Sequence, residues 1–226
     1  MKPDAVPSRN RIFAEMATMG KSNNRLLALS AMAGMKHNGW YFKFRITGQC
    51  FGDYRIPADS IVFLTRSLPV YGGVLKNTAG LERDLAGSVG YSAGSFTTLF
   101  SFSEVFQKNG FFPGSHGIPD LSRVADDGDS RNIEYPFSNV NHAKVINNTE
   151  VNLGGWKLST DMAFQNNRRQ EWATFHTHYG SQMPPLVNPD LELDFDLNTL
   201  TGKCKLESVA DGRWKHTLGC NADYQK

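Results

Sequence analysis

Charged side chains are scarce in this sequence: they make up 20% of its 226 residues, and the formal net charge is only +2. No run of Lys and Arg stands out, so neither the total charge nor its distribution predicts nucleic-acid binding. No stretch approaches the ~20 consecutive apolar residues that a transmembrane helix needs. Composition therefore excludes a strongly basic binding domain and a helical membrane span.

Cysteine is also rare, with Cys50, Cys204 and Cys220 as the only three. No CxxC motif occurs, and no Cys/His cluster has zinc-ligand spacing, so no metal site is expected. Cys204 and Cys220 lie on two strand-like runs that flank residues 210–213. A hairpin closed there would bring them nearly opposite each other, within disulfide reach. An oxidised pair and two free thiols both remain open.

The usual catalytic signatures are missing. The sequence has no GxSxG, HExxH, P-loop or GxGxxG motif, and its six histidines are spread along the chain. These motifs mark nucleophilic, metal-dependent and nucleotide-dependent chemistry. We therefore expect a non-enzymatic protein that acts by binding.

Glycine and aromatic residues are plentiful instead. There are 21 glycines, and aromatics make up 12% of the chain, with 15 phenylalanines. This composition favours strands joined by turns over a helical bundle. Residues 1–36 are the exception, since they are rich in Ala, Leu and Met; we expect them to form an N-terminal arm that is helical or disordered.

Side-chain polarity alternates after this arm. Phe42, Phe44 and Ile46 would share one face of a strand, with Lys43 and Arg45 on the other. Residues 191–197 (LELDFDL) repeat this period of two, and residues 109–139 are the most loop-like stretch because turn signals follow one another there. Regular short strands at this spacing predict an antiparallel meander that curls into a barrel or a sandwich.

Several short strings resemble a known family. They are residues 84–98 (DLAGSVGYSAGSFTT), 117–122 (GIPDLS), 143–145 (AKV), 148–151 (NTEV), 155–156 (GW) and 195–203 (FDLNTLTGK). Together they are similar to the Slam-dependent surface lipoproteins of Gram-negative bacteria, which include hemophilin-type haem carriers. The last string resembles a strand pair of that family's transferrin-binding-protein-like barrel.

The resemblance implies a mainly β architecture in two parts. After the arm at 1–36, residues 37–140 would form a β-rich handle or effector domain, and residues 141–226 an antiparallel eight-stranded β-barrel. It also implies a protein on the outer-membrane surface or outside the cell, exported by an outer-membrane translocator. Contact with a membrane is expected only through a lipid anchor that lies outside this sequence.

The candidate ligand-binding residues are aromatic side chains and one histidine. His116 lies beside Phe111 and Phe112, which would line a slot for a porphyrin ring if the chain carries haem. Trp40 and Tyr41 are the other candidates; most large aromatics should be core, but an exposed cluster would mark a protein or glycan site.

Three functions follow as hypotheses. The first is a surface or secreted protein that binds a host protein or glycan and promotes colonisation. The second is a haem-binding carrier of the same architecture. The third is a structural subunit of a virion or appendage, which the N-terminal arm and the β-rich body would also suit.

Overall fold

The computed structural model describes residues 9–115, 119–177, 180, 182–209 and 214–226. Thirteen strands account for most of them. In chain order they are β1 (Arg11–Lys21), β2 (Leu26–His37), β3 (Trp40–Phe51), β4 (Tyr54–Arg55), β5 (Ser60–Phe63), β6 (Arg66–Pro69), β7 (Val74–Leu75), β8 (Gly80–Ala93), β9 (Phe96–Gly110), β10 (Phe137–Leu153), β11 (Trp156–Trp172), β12 (Leu191–Ser208) and β13 (Thr217–Gln225).

Nine long strands form one antiparallel sheet in the order β1-β2-β3-β8-β9-β10-β11-β12-β13. Each strand pairs with the next long strand in the chain, so the sheet is a simple meander. The four short strands form two small antiparallel pairs, β4 with β7 and β5 with β6, inside the connection between β3 and β8. The expectation of a mainly β, antiparallel protein is confirmed.

The prediction that the N-terminal arm is helical or disordered is wrong for its described residues. Residues 11–21 and 26–37, expected to be helical or disordered, form β1 and β2, which pair with each other, and β2 also pairs with β3. Ala, Leu and Met favour helices in isolation. Here the neighbouring strand overrides that preference, because pairing satisfies the backbone and places Ala33 beside the large ring of Phe44.

The sheet is open rather than closed into the expected eight-stranded barrel. Among the described residues, β1 and β13 each have one neighbour, so both present an unpaired edge. The expected boundary at 140/141 falls inside β10, which pairs with β9 on one side and β11 on the other. One continuous sheet therefore runs through both of the expected domains.

Buried side chains are few, and the main cluster lies beside the sheet rather than beneath it. Leu68, Phe112 and Val124 form this cluster, with partly buried hydrophobic residues of β5 and β7 packed against it. The described helices are three short 3-10 turns, at Tyr71–Gly73, Pro113–Ser115 and Leu121–Arg123. None of them is long and apolar enough to cross a membrane.

Candidate functional site

One face of the sheet is apolar and exposed. We call it the apolar face and define it on β3 by Trp40, Phe42, Phe44 and Ile46, which alternate along the strand. The register places large apolar side chains of the neighbouring strands on the same face: Met35 on β2, Val89 on β8, Phe100 on β9, Val145 on β10 and Phe164 on β11. All of them are exposed; the Phe44 side chain, for example, is 46% exposed.

The opposite, polar face is the more enclosed one. On β3 it carries Lys43, Arg45 and Thr47, all half-buried although their apolar neighbours are exposed. β2 follows the same rule: Leu27 and Leu29 are exposed, whereas Ser30 is half-buried. A protein surrounded by water has the reverse arrangement. The sheet is therefore inside-out along these strands.

The middle of the apolar face carries no ionised side chain. Three successive rows of paired residues, those of Trp40, Phe42 and Phe44, contain no Asp, Glu, Lys or Arg in any of the nine strands of the described sheet. Charges begin one row further along, with Glu104 on β9, and Arg83 follows in the next row. These three uncharged rows cross the whole described sheet.

Three polar side chains in these rows hydrogen-bond to one another. Thr98 and Thr149 have their hydroxyl oxygens 2.8 Å apart, and the Asn147 amide donates to the Thr98 hydroxyl at 3.1 Å. Thr149 in turn donates to the Asn147 side-chain oxygen at 3.0 Å. Polar groups in water need no such mutual pairing, whereas polar groups in an apolar environment do.

The large apolar side chains of the apolar face form a band that crosses the strands obliquely, which we call the apolar band. Its residues on β2 run from Leu27 to Met35, centred on Ala31; on β11 they run from Trp156 to Phe164, centred on Thr160. In the strand register, however, Ala31 lies in the same row of paired residues as Asn166, which is six residues beyond Thr160 on β11. A drift of about 20 Å over five strand spacings of ~4.8 Å corresponds to strands tilted by roughly 40° to the normal of the band. On each of these two strands the band is nine residues long.

Aromatic rings lie at one limit of this band, and a second group lies well beyond the other limit. At one limit Trp40 packs against Tyr91, with ring centroids 4.9 Å apart, and stacks on Phe42. The second group lies outside the band, eight residues past Phe164 along β11: Phe137 stacks between Tyr135 and Trp172, and the ammonium of Lys108 lies 4.1 Å from the centroid of the Phe137 ring. Trp40 is 48% exposed, so the expectation that the large aromatics are mostly core fails for it.

The connections at the two ends of the sheet differ in length. At the end near Trp40, residues 38–39, 94–95 and 154–155 join strands in two residues each, and 209–216 form the fourth connection. At the opposite end the connections are residues 22–25, 52–79, 111–136 and 173–190. We call these the short-turn end and the long-loop end. The short strands β4 to β7 and the three 3-10 turns all lie in connections at the long-loop end.

Asn77 joins two of the long loops. Its side-chain amide donates to the carbonyl oxygens of Phe111, Glu134 and Pro136 at 2.8–3.1 Å, and its side-chain oxygen accepts the backbone N–H of Glu134 at 2.7 Å. Asn77 is buried and has a φ of +62°, a conformation that Asn tolerates better than most residues. This one side chain thus fixes residues 52–79 against residues 111–136.

A buried lysine strengthens the same junction. The Lys76 ammonium, whose side chain is 4% exposed, pairs with the Asp127 carboxylate, donates to Asn132 at 3.1 Å and lies 4.0 Å from Glu134. The hydrogen bond from Lys76, followed by that from the backbone N–H of Asp129, lowers the pKa of Asp127 to about 2. The acidic turn at 126–129 is therefore held by protein groups.

Asp53 lies at the base of the same loop, where the chain leaves β3. One of its carboxylate oxygens accepts the backbone N–H groups of Thr78 and Ala79, at 2.7 and 3.0 Å. Burial is the larger influence and raises the pKa of Asp53, although these N–H bonds oppose it. The carboxylate fixes the end of this connection directly before β8.

A cavity of about 310 Å³ opens between two long loops at this end. Arg123 spans it: its guanidinium lies 3.7 Å from the Asp120 carboxylate and donates to the Tyr135 carbonyl and the Thr174 hydroxyl. On the other wall, His176 Nδ1 is 3.4 Å from the Glu192 carboxylate. The lining also includes Pro113, Pro119, Pro136, Ala173 and Phe175. Aromatic and proline surfaces with a few fixed polar groups are typical of small-ligand sites.

The structure does not bring the predicted binding residues together. Trp40 is on the apolar face, whereas Tyr41, 3% exposed, is on the polar face, because consecutive strand residues point to opposite sides. Phe111 and Phe112 lie at the long-loop end, about 40 Å from Trp40 along the strand direction. Phe112 is buried with Leu68, so its ring does not line a slot for a porphyrin. His116 lies outside the described residues.

The two candidate disulfide cysteines are opposite each other but not bonded. Cys204 of β12 and Cys220 of β13 are direct partners in the register, which confirms the pairing of the two strands. Both are free, exposed thiols, as is Cys50. The side chains of the described residues also form no group of three or more His, Cys, Asp and Glu that would hold a metal ion.

The apolar band and the loop cavity were both missed from the sequence. The signal for the band was present, since the alternation assigned Phe42 and Lys43 to opposite faces, but periodicity does not say which face meets the surroundings. No family model, curated protein or solved structure matches this chain. The resemblance to Slam-dependent lipoproteins therefore stays a prediction.

Proposed function

We propose that this chain forms part of a transmembrane wall of β-strands in a bacterial outer membrane, and that its long-loop end binds a molecule outside the cell. The observation that carries the proposal is the inverted exposure of the sheet: large apolar side chains face outward while polar ones are enclosed. A lipid bilayer is the surrounding in which this arrangement is favourable.

The shape of the apolar band favours lipid over a protein partner. A bilayer has a fixed hydrocarbon thickness, so tilted strands each need about nine to eleven residues to cross it. The band has that height on β2 and β11, drifts with a tilt of roughly 40°, and is bordered by the rings of Trp40 and Tyr91 at one limit. Transmembrane strand walls share these three properties.

The unequal ends of the sheet support the same proposal. Outer-membrane strand proteins have short turns toward the periplasm and longer loops toward the outside. The two-residue connections at 38–39, 94–95 and 154–155 would then face the periplasm. The loops at 52–79, 111–136 and 173–190 would face outward, and the cavity beside Arg123 would be open to an external ligand.

Backbone chemistry adds one requirement. Unpaired N–H and C=O groups are costly in hydrocarbon, so a sheet edge does not remain free there. In this proposal β1 and β13 pair with further strands and complete a closed wall, and this replaces the compact eight-stranded barrel expected from residues 141–226. We keep the function expected from the sequence: the chain is non-enzymatic, and its loops bind a host protein or glycan.

Vesicle flotation tests the proposal. The 226-residue chain is refolded from urea in the presence of phosphatidylcholine vesicles, washed with alkaline carbonate and floated on a density gradient. We expect the chain to float with the lipid after the wash and to show a β-sheet circular-dichroism spectrum. A chain that folds in water without lipid or detergent, and is removed by the wash, contradicts the proposal.

A further inference from the structure

The polar face contains a cleft of its own, directly behind the apolar band. It has a volume of about 310 Å³ and is formed by β3, β8, β9 and β10. Two successive rows of the register make its floor and walls. The first row joins Arg45, Ala86, Ser103 and Lys144, and the second joins Lys43, Ser88, Ser101 and Ile146.

The floor of the cleft consists of small side chains. Ala86, Ser88, Ser101 and Ser103 occupy the two central strands, and the hydroxyl oxygens of Ser88 and Ser101 are 3.0 Å apart. The outer strands, β3 and β10, carry long side chains. They are three strand spacings apart, about 14 Å between backbones. Short residues between long ones leave an open trough with hydroxyl groups along its base.

All ionised side chains that line the trough are positive. Lys43 and Arg45 stand on the β3 wall and Lys144 on the β10 wall, and no carboxylate is among the described lining residues. Arg45 lies 3.6 Å from Glu15 and donates to the Ser30 hydroxyl, which holds its guanidinium toward β1 and β2. Lys144 has no ion pair with any described residue. On β8 the carboxylate of Asp84 lies one row beyond the trough, toward the long-loop end.

We propose that this cleft is a binding site for a small elongated organic anion that carries carboxylate or phosphate groups. The opposed lysines would neutralise its charged ends, and the serine hydroxyls would donate hydrogen bonds along its length. A concave, partly enclosed surface strengthens the attraction, because fewer water molecules screen the charges than on an open surface. Tyr41 and Leu99, both buried, close the trough toward the short-turn end.

The position of the cleft gives this site its role, and here the inference rests on the proposed function. Along β3, Lys43 and Arg45 alternate with the apolar residues Phe42, Phe44 and Ile46. Their charged groups therefore lie at the depth of the apolar band, on the enclosed side of the wall. Basic side chains at that position select anions in aqueous paths through strand walls. The bound or transported solute would then be anionic.

Isothermal titration calorimetry with sodium pyrophosphate, on the full chain in detergent micelles at low salt, tests the site. We expect saturable binding by the unmodified protein that weakens as salt is raised, and a loss of at least tenfold in affinity for Lys144→Gln and for Lys43→Gln. Lys144→Arg keeps the charge and should stay within threefold. The matched control is Lys157→Gln, a polar-face lysine paired with Glu150 at 2.9 Å, which should change affinity less than twofold.

Three results would overturn the site: no saturable heat with the unmodified protein, equal losses for Lys157→Gln and Lys144→Gln, or binding of an acidic peptide such as hexaglutamate far tighter than that of pyrophosphate, which would identify a polypeptide as the occupant. A far-ultraviolet circular-dichroism spectrum shows whether each variant is folded. Because micelles replace the bilayer here, failed vesicle insertion with intact pyrophosphate binding would remove the proposed function and leave the anion site.

Discussion

Phe42 and Lys43 are consecutive residues of β3, yet the apolar ring is exposed and the charged side chain is half-buried. Moving a phenylalanine from water to an apolar environment stabilises by about 1.5–3 kcal/mol. In water the sheet would forgo this contribution at every position of the apolar band. In a bilayer the sheet gains this contribution along the whole band. The opposite exposure of Phe42 and Lys43 therefore favours lipid over water as the surroundings of the apolar face.

A single arginine in the band should therefore be costly, and the cost should depend on the face. We expect Met162→Arg, at a side chain 59% exposed on the apolar face, to lower the free energy of unfolding in vesicles by about 2–4 kcal/mol. Gln165→Arg is the matched control, three residues along β11 on the polar face, and should cost less than about 1 kcal/mol. Urea titrations followed by tryptophan fluorescence measure both. Equal costs would contradict a lipid-facing band.

Asn77 should be the most sensitive polar residue of the loop end. Asn77→Gly retains the positive φ but removes four hydrogen bonds, three of them to carbonyl oxygens that are left without this donor. We expect a loss of about 2–4 kcal/mol in local stability. Hydrogen exchange of residues 52–79 and 111–115 should accelerate by at least tenfold, while exchange in β10 and β11 stays unchanged. Unchanged exchange in the loops would refute this role.

The Lys76–Asp127 pair predicts an acid-sensitive loop end. The folded pKa of Asp127 is about 2, below its ordinary value of 3.8. A depressed carboxyl pKa stabilises the folded state above about pH 4, and that stability is lost as the pH falls through about 2. Proteolysis of the loops by pepsin should therefore accelerate between pH 4 and pH 2, beyond the change in pepsin's own activity on an unfolded substrate.

Variants of the acidic turn separate this pair from general acid effects. Asp127→Asn should make the loops protease-sensitive already at pH 5, because it leaves the buried Lys76 ammonium without its closest carboxylate. Asp126→Asn is the control, since among the described residues the Asp126 side chain accepts only the backbone N–H of Gly128. If both variants respond alike, the ion pair does not hold the loops.

The register of β12 and β13 predicts a specific cross-link. Cys204 and Cys220 are direct partners, so copper phenanthroline in detergent micelles should join them within one chain. Mass spectrometry of a non-reduced digest should show this pair, with Cys50 left free. A dominant link to Cys50, or dimers linked through Cys220, would mean that the two strands are aligned differently.

The strand pattern was largely predictable because it depends on local alternation. Residues 42–47 and 191–197 were predicted to be strands with alternating side chains, and the loop-like stretch at 109–139 covers the connection between β9 and β10. The strands β1 and β2 were not predictable in the same way. Ala31 and Ala33 favour a helix locally, and only the adjacent Ile46 and Phe44 side chains make small residues suitable in that sheet.

The candidate sites depended on contacts between distant residues. Tyr41 lines the anion cleft only because β8, β9 and β10 bring Ser88, Ser101 and Lys144 to the same face, and no local motif encodes that arrangement. The cavity at the long-loop end likewise joins Arg123 to Thr174, which are 51 residues apart. Sequence reasoning found the aromatic residues but grouped them by residue type rather than by position in the sheet.

A nitroxide scan of β9 tests the central claim most directly. Single cysteines at positions 96–103, in a background without the three natural cysteines, are spin-labelled in vesicles, and their collision rates with oxygen and with a water-soluble nickel chelate are measured. We predict a period of two: labels at 96, 98, 100 and 102 collide mainly with oxygen, and those at 97, 99, 101 and 103 respond more to nickel. Equal nickel accessibility on both faces would contradict the account.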